Sequence, residues 1–552
     1  MADGPLIVQS DRTVLLEVAH PHAESARHEL AIFAELERAP EHIHTYRITR
    51  LGLWNARAAG HDAEDMLATL DRWSRFPVPP SVSIDIRETV GRYGRLVIER
   101  DEVDGESALV LRSTDPAVLA EVSKNKRIQP LLIGNPSPDT FVVDAWARGH
   151  IKQELLKIGW PAEDLAGYTP GTPHPIDLAE DGAGGWKLRP YQRQAVDVFA
   201  EGGSGVVVLP CGAGKTLVGA GAMAETKTTT LILVTNTVSA RQWRDELLKR
   251  TSLTAEEIGE YSGQVKEVKP VTIATYQILT AKRKGQYAHL ALLDALDWGL
   301  IVYDEVHLLP APVFKLTADL QARRRLGLTA TLVREDGREG DVFSLIGPKR
   351  FDAPWKEIEA QGFISPAVCY EVRVDLPAGD RLEYAAAADD DRYRLAATAP
   401  AKIDVVQRLV DKHAGERILI IGQYLDQIDV LAEALGASKI TGQTPVDERE
   451  ELYQAFRVGE ITVLVVSKVA NFSIDLPEAS VAIQVSGSFG SRQEEAQRLG
   501  RLLRPKQSGK TASFYTLIAR DTVDQDFAQN RQRFLAEQGY AYTILDAESL
   551  AA

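Results

Sequence analysis

The residues best placed to do chemistry are Lys215 and Thr216, which follow the turn Pro210-Cys211-Gly212-Ala213-Gly214. A run of β-branched and small residues at 205–209 leads in and reads as a buried strand, and a small-residue helical pattern at 217–224 leads out. Strand, glycine-rich loop, then Lys-Thr at a helix start is an arrangement that cradles phosphates. Backbone N–H groups of Cys211, Gly212, Ala213 and Gly214 and the positive end of the helix dipole meet the anion, and Lys215 adds a full charge. The Thr216 hydroxyl is placed to ligand Mg²⁺. Leu209 stands where the strict motif has glycine, so a glycine-rich turn with a chance Lys-Thr is the alternative for this segment alone.

A second constellation is Asp304-Glu305-Val306-His307, which follows the apolar run 300–303. Two acids at the carboxyl end of such a strand lie beside a phosphate loop in a parallel sheet. Asp304 can hold Mg²⁺ and Glu305 can orient or deprotonate an attacking water. Farther on, Gln497, Arg501 and Arg504 share one helical face, where spacings of four and three let all three reach a γ-phosphate and neutralise transition-state charge. A basic amphipathic helix is the competing reading of that segment alone. Upstream, Arg189 and Gln192 lie just before the loop, and a glutamine amide can pair with an adenine edge and so prefer ATP.

The elements that must position these groups alternate. Strand candidates at 205–209, 231–234, 271–274, 300–303 and 326–328 are separated by helical patterns, which is the mark of a parallel sheet with crossover helices. The alternation resumes at 417–421, 463–466, 481–485 and 513–517, giving a second lobe without a phosphate loop. The expected fold is α/β: two tandem RecA-like parallel-sheet lobes at 181–352 and 353–552, preceded by smaller α+β accessory domains. The first, 1–112, pairs strands at 6–9 and 13–18 and carries helices at 23–36, 63–76 and 81–93. Strands at 96–99 and 108–111 then give it a winged-helix-like plan, with packing favoured over DNA reading because the helix from Ser81 has few basic residues. A small α/β unit and linker fill 113–180.

With 552 residues, 44% of them hydrophobic, each expected domain can hold its own core. No apolar run reaches membrane-spanning length, and two cysteines exclude a disulfide framework or a cysteine-based zinc site, so a cytoplasmic protein is expected, nucleoid-associated when bound to DNA. A net charge of −15 argues against indiscriminate coating of nucleic acid. Yet positive charge clusters at 187–193, 323–325 and 498–506, all flanking the phosphate-handling segments.

Together the loop at 211–216, Asp304 to His307, Leu326-Gly327-Leu328-Thr329-Ala330-Thr331 and the segment 497–504 occur in the order of superfamily-two helicases. The run Thr329-Ala330-Thr331-Leu332-Val333-Arg334-Glu335-Asp336 resembles the XPB branch in particular, as do Val234-Thr235-Asn236-Thr237 with Gln242-Trp243 and the opening at 6–13. The resemblance implies an ATP-driven 3′-to-5′ DNA helicase or translocase of DNA repair that uses ATP and Mg²⁺, with DNA and a repair nuclease as partners. It implies that Thr235, Asn236, Thr275 and Tyr276, and in the second lobe Ser467 and Asn471, line the DNA track. His307, Thr329, Thr331 and Asp475 would couple ATP to DNA, Arg334, Glu335 and Asp336 would separate strands, and 115–159 would resemble a damage-sensing domain. The Ala/Asp-rich segment 377–401 is shorter than the family's thumb insert. A duplex translocase without processive unwinding and an ATP-gated DNA clamp are the alternatives.

Overall fold

A computed structural model of the chain describes residues 4–39, 42–180, 186–210, 212–283, 286–321, 323–330, 338–353, 355–361, 366–467, 479–487, 511–538 and 540–551. These form two compact units, one of Met1–Glu35, Tyr46–Leu209 and Gly214–Ala353, the other of Leu36–Thr45, Pro210–Ala213 and Pro354–Ala552.

The first large sheet has seven strands, in the order Ile258–Tyr261, Val271–Thr275, Thr230–Val234, Leu300–Asp304, Arg324–Thr329, Ser204–Val208 and Lys349–Asp352. Every pairing is parallel. The inner strands Ser204–Val208, Thr230–Val234 and Val271–Thr275 are buried along their whole length. This follows from their continuous Val/Ile/Leu/Thr runs, because helices cover both faces of a parallel sheet. Val206, Leu231, Ile301 and Tyr303 share one core with Phe314 and Leu345. The carboxyl ends of the central strands all point to one edge, where the chemistry-bearing turns follow.

In the second unit another seven-stranded parallel sheet runs Ser438–Ile440, Val463–Ser467, Ile418–Gly422, Val481–Gln484, Ala512–Ala519, Ala367–Val374 and Tyr542–Asp546. The segment 377–401 forms two short helices, Ala378–Ala386 and Asp389–Ala397. Tyr393 on the second helix donates to the Gly487 carbonyl. The two-lobed α/β plan is therefore as expected, and so is the antiparallel pair, Leu6–Val8 and Thr13–Glu17, that opens the chain.

Three details of the accessory region differ from expectation. The helix at 23–36 stops at Leu30, and Ala34–Arg38 is a strand whose side chains alternate between interior and solvent. That two-residue period outweighs helix propensity. The helix Ala63–Trp73 ends three residues early; it starts at Asp62, whose carboxylate accepts from the Asp65 N–H at 2.9 Å while Asp65 accepts from the Asp62 N–H at 3.1 Å. The hairpin Leu96–Val103 and Glu106–Ser113 is not a separate wing. It lies in one five-stranded sheet, ordered Leu132–Ser137, Thr140–Val143, Glu106–Ser113, Leu96–Val103 and Ala162–Asp164. Leu96, Ile98, Leu109 and Leu111 share a core with Val118, Leu119, Ile151 and Leu155, so the apolar face of the hairpin is buried by residues beyond the boundary expected at 112/113.

Candidate functional site

Lys215 opens the helix Lys215–Thr226, and Gly214 before it sits at φ +82°, a left-handed conformation that glycine adopts without steric cost. A Cβ at Gly214 would also lie 2.4 Å from the Gln192 amide nitrogen. Gln192 is buried, and its carbonyl oxygen accepts from the Arg189 N–H at 2.9 Å. The amide expected to read an adenine edge is thus engaged with its own helix start and packed over the phosphate loop. Arg189 donates to the Tyr191 hydroxyl at 3.1 Å. Thr216 is half-buried at the mouth of the loop, and Gly212 has φ +81°.

The acid pair meets this loop. Lys215 Nζ lies 3.1 Å from Glu305 Oε1, with the two side chains 11% and 23% exposed. Glu305 itself is held at φ +49°, a conformation that costs a non-glycine residue about 1–2 kcal/mol and that the surrounding contacts impose. Its other oxygen is 3.4 Å from His307 Nδ1, which is 2.6 Å from the Thr329 hydroxyl. His307, in the short turn after its strand, and Thr329, at the end of the neighbouring strand, are both expected to couple ATP to DNA and are buried side by side.

Asp304 ends the strand Leu300–Asp304, and the pair it makes with Glu305 sets the electrostatics. Burial and the Glu305 charge raise the Asp304 carboxyl above its ordinary value, against the Trp243 hydrogen bond and Lys215, which lower it. Burial would raise Glu305 too, but Lys215 and His307 outweigh it and hold that carboxyl below its ordinary value. Two carboxylates facing one lysine favour a further cation. Among the described residues no group of three or more His, Cys, Asp or Glu could hold a metal alone. A carboxylate at Asp304 and a hydroxyl at Thr216 are oxygen donors of the kind that Mg²⁺ takes alongside phosphate and water.

Two neighbours of Asp304 were not expected. Trp243 Nε1–H donates to Asp304 Oδ2 at 2.9 Å, and the Tyr276 hydroxyl donates to the Asp304 carbonyl at 2.8 Å. Tyr276, expected on a DNA track, is 3% exposed and packs in the sheet core, so its side chain supports Asp304 from inside. Thr275 and Ser467 are buried as well, at the ends of their strands. Thr235 and Asn236 are half-buried, and Asn236 caps the helix Thr237–Arg250 by accepting from the Ser239 N–H at 2.9 Å. Cys211, Thr331, Arg334, Glu335, Asp336, Asn471, Asp475, Gln497, Arg501 and Arg504 lie outside the described residues.

A lysine on a glycine-loop helix facing adjacent carboxylates at the ends of parallel strands defines a phosphate-loop nucleoside triphosphatase. The family model described as the ERCC3/RAD25/XPB C-terminal helicase matches residues 358–551, that of the type III restriction enzyme res subunit matches 185–334, and that of a helicase conserved C-terminal domain matches 6–135. The chain is 69% identical over 550 residues to "DNA 3'-5' helicase XPB" of Kineococcus radiotolerans, covering 100% of this chain and 98% of the relative. It is 63% identical to the Mycobacterium tuberculosis protein of the same name, covering 100% and 99%. At 32% identity it matches the "General transcription and DNA repair factor IIH helicase/translocase subunit XPB" of Schizosaccharomyces pombe, covering 97% and 75%. The chain belongs to the XPB family of DNA 3′-5′ helicases.

Proposed function

We infer that this chain is an ATP-driven DNA 3′-5′ helicase acting in DNA repair. The observation that carries the reading is the convergence of Lys215, Asp304 and Glu305 at one sheet edge, with the Lys215–Glu305 contact at 3.1 Å. Backbone N–H groups of the loop and Lys215 bind the β- and γ-phosphates. Glu305, ionised at neutral pH, accepts a proton from the attacking water or orients it. Asp304 and Thr216 are assigned to Mg²⁺, which when bound offsets phosphate charge as it develops. Gln192 steadies Gly214 beneath the nucleotide, and Arg189 stays assigned to that side of it. His307 and Thr329 link Glu305 to the next strand.

Outside the described residues, Gln497, Arg501 and Arg504 keep the role their spacing gives them, neutralising transition-state charge. The grip on one DNA strand falls to Thr235, Asn236, Ser467, Asn471 and the strand end at Thr275, through hydroxyls, amides and backbone that read phosphates rather than bases. Thr331 and Asp475 are assigned to coupling, and Arg334, Glu335 and Asp336 to strand separation. A repair nuclease as working partner and a nucleoid location when DNA-bound belong to the same reading. Among the described residues no helix is long and apolar enough to cross a membrane.

Strand displacement on duplexes with a 3′ or a 5′ single-stranded tail tests the assignment. ATP-dependent displacement confined to the 3′-tailed substrate is expected. Displacement from the 5′ tail, or triplex displacement without any strand separation, would overturn the helicase reading.

A further inference from the structure

Gly219 is a glycine in the middle of the helix Lys215–Thr226, where it weakens the helix relative to alanine. Its φ is ordinary, so conformation does not require it. Space does: a Cβ there would lie 2.4 Å from Cη2 of Trp243. The indole therefore lies flush against the helix that carries Lys215 and Thr216. Its other end donates Nε1–H to Asp304 Oδ2 at 2.9 Å, and the ring is 2% exposed. The helix that bears it, Thr237–Arg250, starts at the Asn236 cap, seven residues or about two turns away. One side chain thus touches the phosphate-loop helix, the carboxylate of the acid pair and the helix that begins at Asn236. The Tyr276 hydroxyl, one residue past the strand end at Thr275, fixes the Asp304 carbonyl from a second direction at 2.8 Å.

Resting on the assignment of Asp304 to Mg²⁺ and of Asn236 and Thr275 to the DNA strand, we propose that Trp243 and Tyr276 are positioning residues that tie Asp304 to the DNA-gripping segments. The indole N–H holds the carboxylate rotamer toward the loop helix, and strand engagement at Asn236 stiffens the helix that carries the indole. The link runs inside the first large sheet and is separate from the contact between His307 and Thr329.

Trp243→Phe keeps a buried ring and removes only the N–H and the outer edge. Partners that orient a metal-bound carboxylate typically change affinity or activity about 10–100-fold when removed. Two readouts are compared with the wild-type full chain: the gain in affinity for a fluorescent ADP analogue on adding Mg²⁺, and the ratio of ATP turnover with and without single-stranded DNA. In Trp243→Phe both fall about tenfold, while strand binding without nucleotide stays within about twofold. Gly219→Ala, which must push the indole aside, lowers both in the same way. The double variant Gly219→Ala/Trp243→Phe regains the thermal stability lost in Gly219→Ala, because phenylalanine has no Cη2, but regains neither readout. Tyr276→Phe removes a single hydroxyl from the other side of Asp304 and gives a smaller drop in both. Wild-type Mg²⁺ gain and DNA stimulation in Trp243→Phe and Tyr276→Phe would overturn the proposal. Absence of DNA stimulation in the wild-type chain would instead overturn the functional reading beneath it.

Discussion

Glu305 faces Lys215 at 3.1 Å, so a triphosphate that draws on Lys215 must compete with this carboxylate. At that separation and an effective dielectric of about 20, the attraction is about 5 kcal/mol. Solvation of the parted, partly exposed charges returns most of it, leaving about 1–2 kcal/mol net. Glu305 also repels the phosphates directly, since Lys215 and His307 keep it ionised despite its burial. Glu305→Gln removes both effects and keeps the side-chain shape. The dissociation constant of a fluorescent ATP analogue should then fall about tenfold, the equivalent of 1.4 kcal/mol. Turnover should fall at least about 100-fold, because the amide cannot take a proton from water. Equilibrium titration of the analogue, beside steady-state phosphate release, reads both numbers on one preparation. Nucleotide binding as weak as wild type or weaker in Glu305→Gln would refute the competition, and wild-type turnover would refute the role of Glu305 in hydrolysis.

Two further predictions concern buried charge. Asp164 accepts from Arg148 at 2.8 Å and from Lys152 at 2.6 Å, and Lys152 also reaches Gln321 Oε1 at 2.5 Å, joining the five-stranded sheet to the turn after the helix Ala311–Asp319. Burial opposes ionisation of Asp164, but Lys152 and Arg148 overcome it and hold the carboxyl far below its ordinary value of 3.8. A depressed carboxyl contributes stability that is complete above its unfolded value and lost as pH falls through the folded one. Asp164→Asn should therefore cost about 3–5 kcal/mol in urea unfolding at pH 7, with the gap to wild type narrowing below about pH 4; a gap independent of pH would contradict this. In the second unit, Lys402 and Asp524 are wholly buried 2.7 Å apart, and Lys402 also donates to the carbonyls of Val485 and Leu517. Buried Arg531 also lies 3.6 Å from Asp524, so Asp524→Ala strands two cations and should destabilise by about 3–5 kcal/mol, whereas Lys402→Met/Asp524→Leu, which still leaves Arg531 without the carboxylate, should recover only part of that loss in the same assay.

The phosphate loop and acid pair were legible because each follows an apolar strand buried on both faces, which leaves little freedom about where the next residues emerge. Short or polar strands such as Ile258–Tyr261, Ser438–Ile440 and Lys349–Asp352 carry no continuous apolar run, and tertiary pairing alone makes them strands. Tyr276 was placed on the DNA track by the resemblance alone, and nothing local in the sequence shows that its ring is buried. The helix that begins at Tyr276 turns the ring inward, and only coordinates show its hydroxyl on Asp304. Gly219 was a readable hint of close approach, but nothing local named Trp243 as the ring that needs the space. The wing reading failed because hairpin pairing is local while the strands that complete its sheet lie about twenty to fifty residues later.

The central claim is that Lys215, Asp304 and Glu305 form one site whose ATP turnover is driven by DNA. ATP hydrolysis by the wild-type chain and by Lys215→Ala, each without DNA and with 3′-tailed DNA across a salt series, tests it most directly. Wild-type turnover should rise with DNA and lose that rise as salt weakens the phosphate grip, while Lys215→Ala stays inactive yet still binds the DNA. Equal wild-type turnover with and without DNA, or undiminished hydrolysis by Lys215→Ala, would contradict the account.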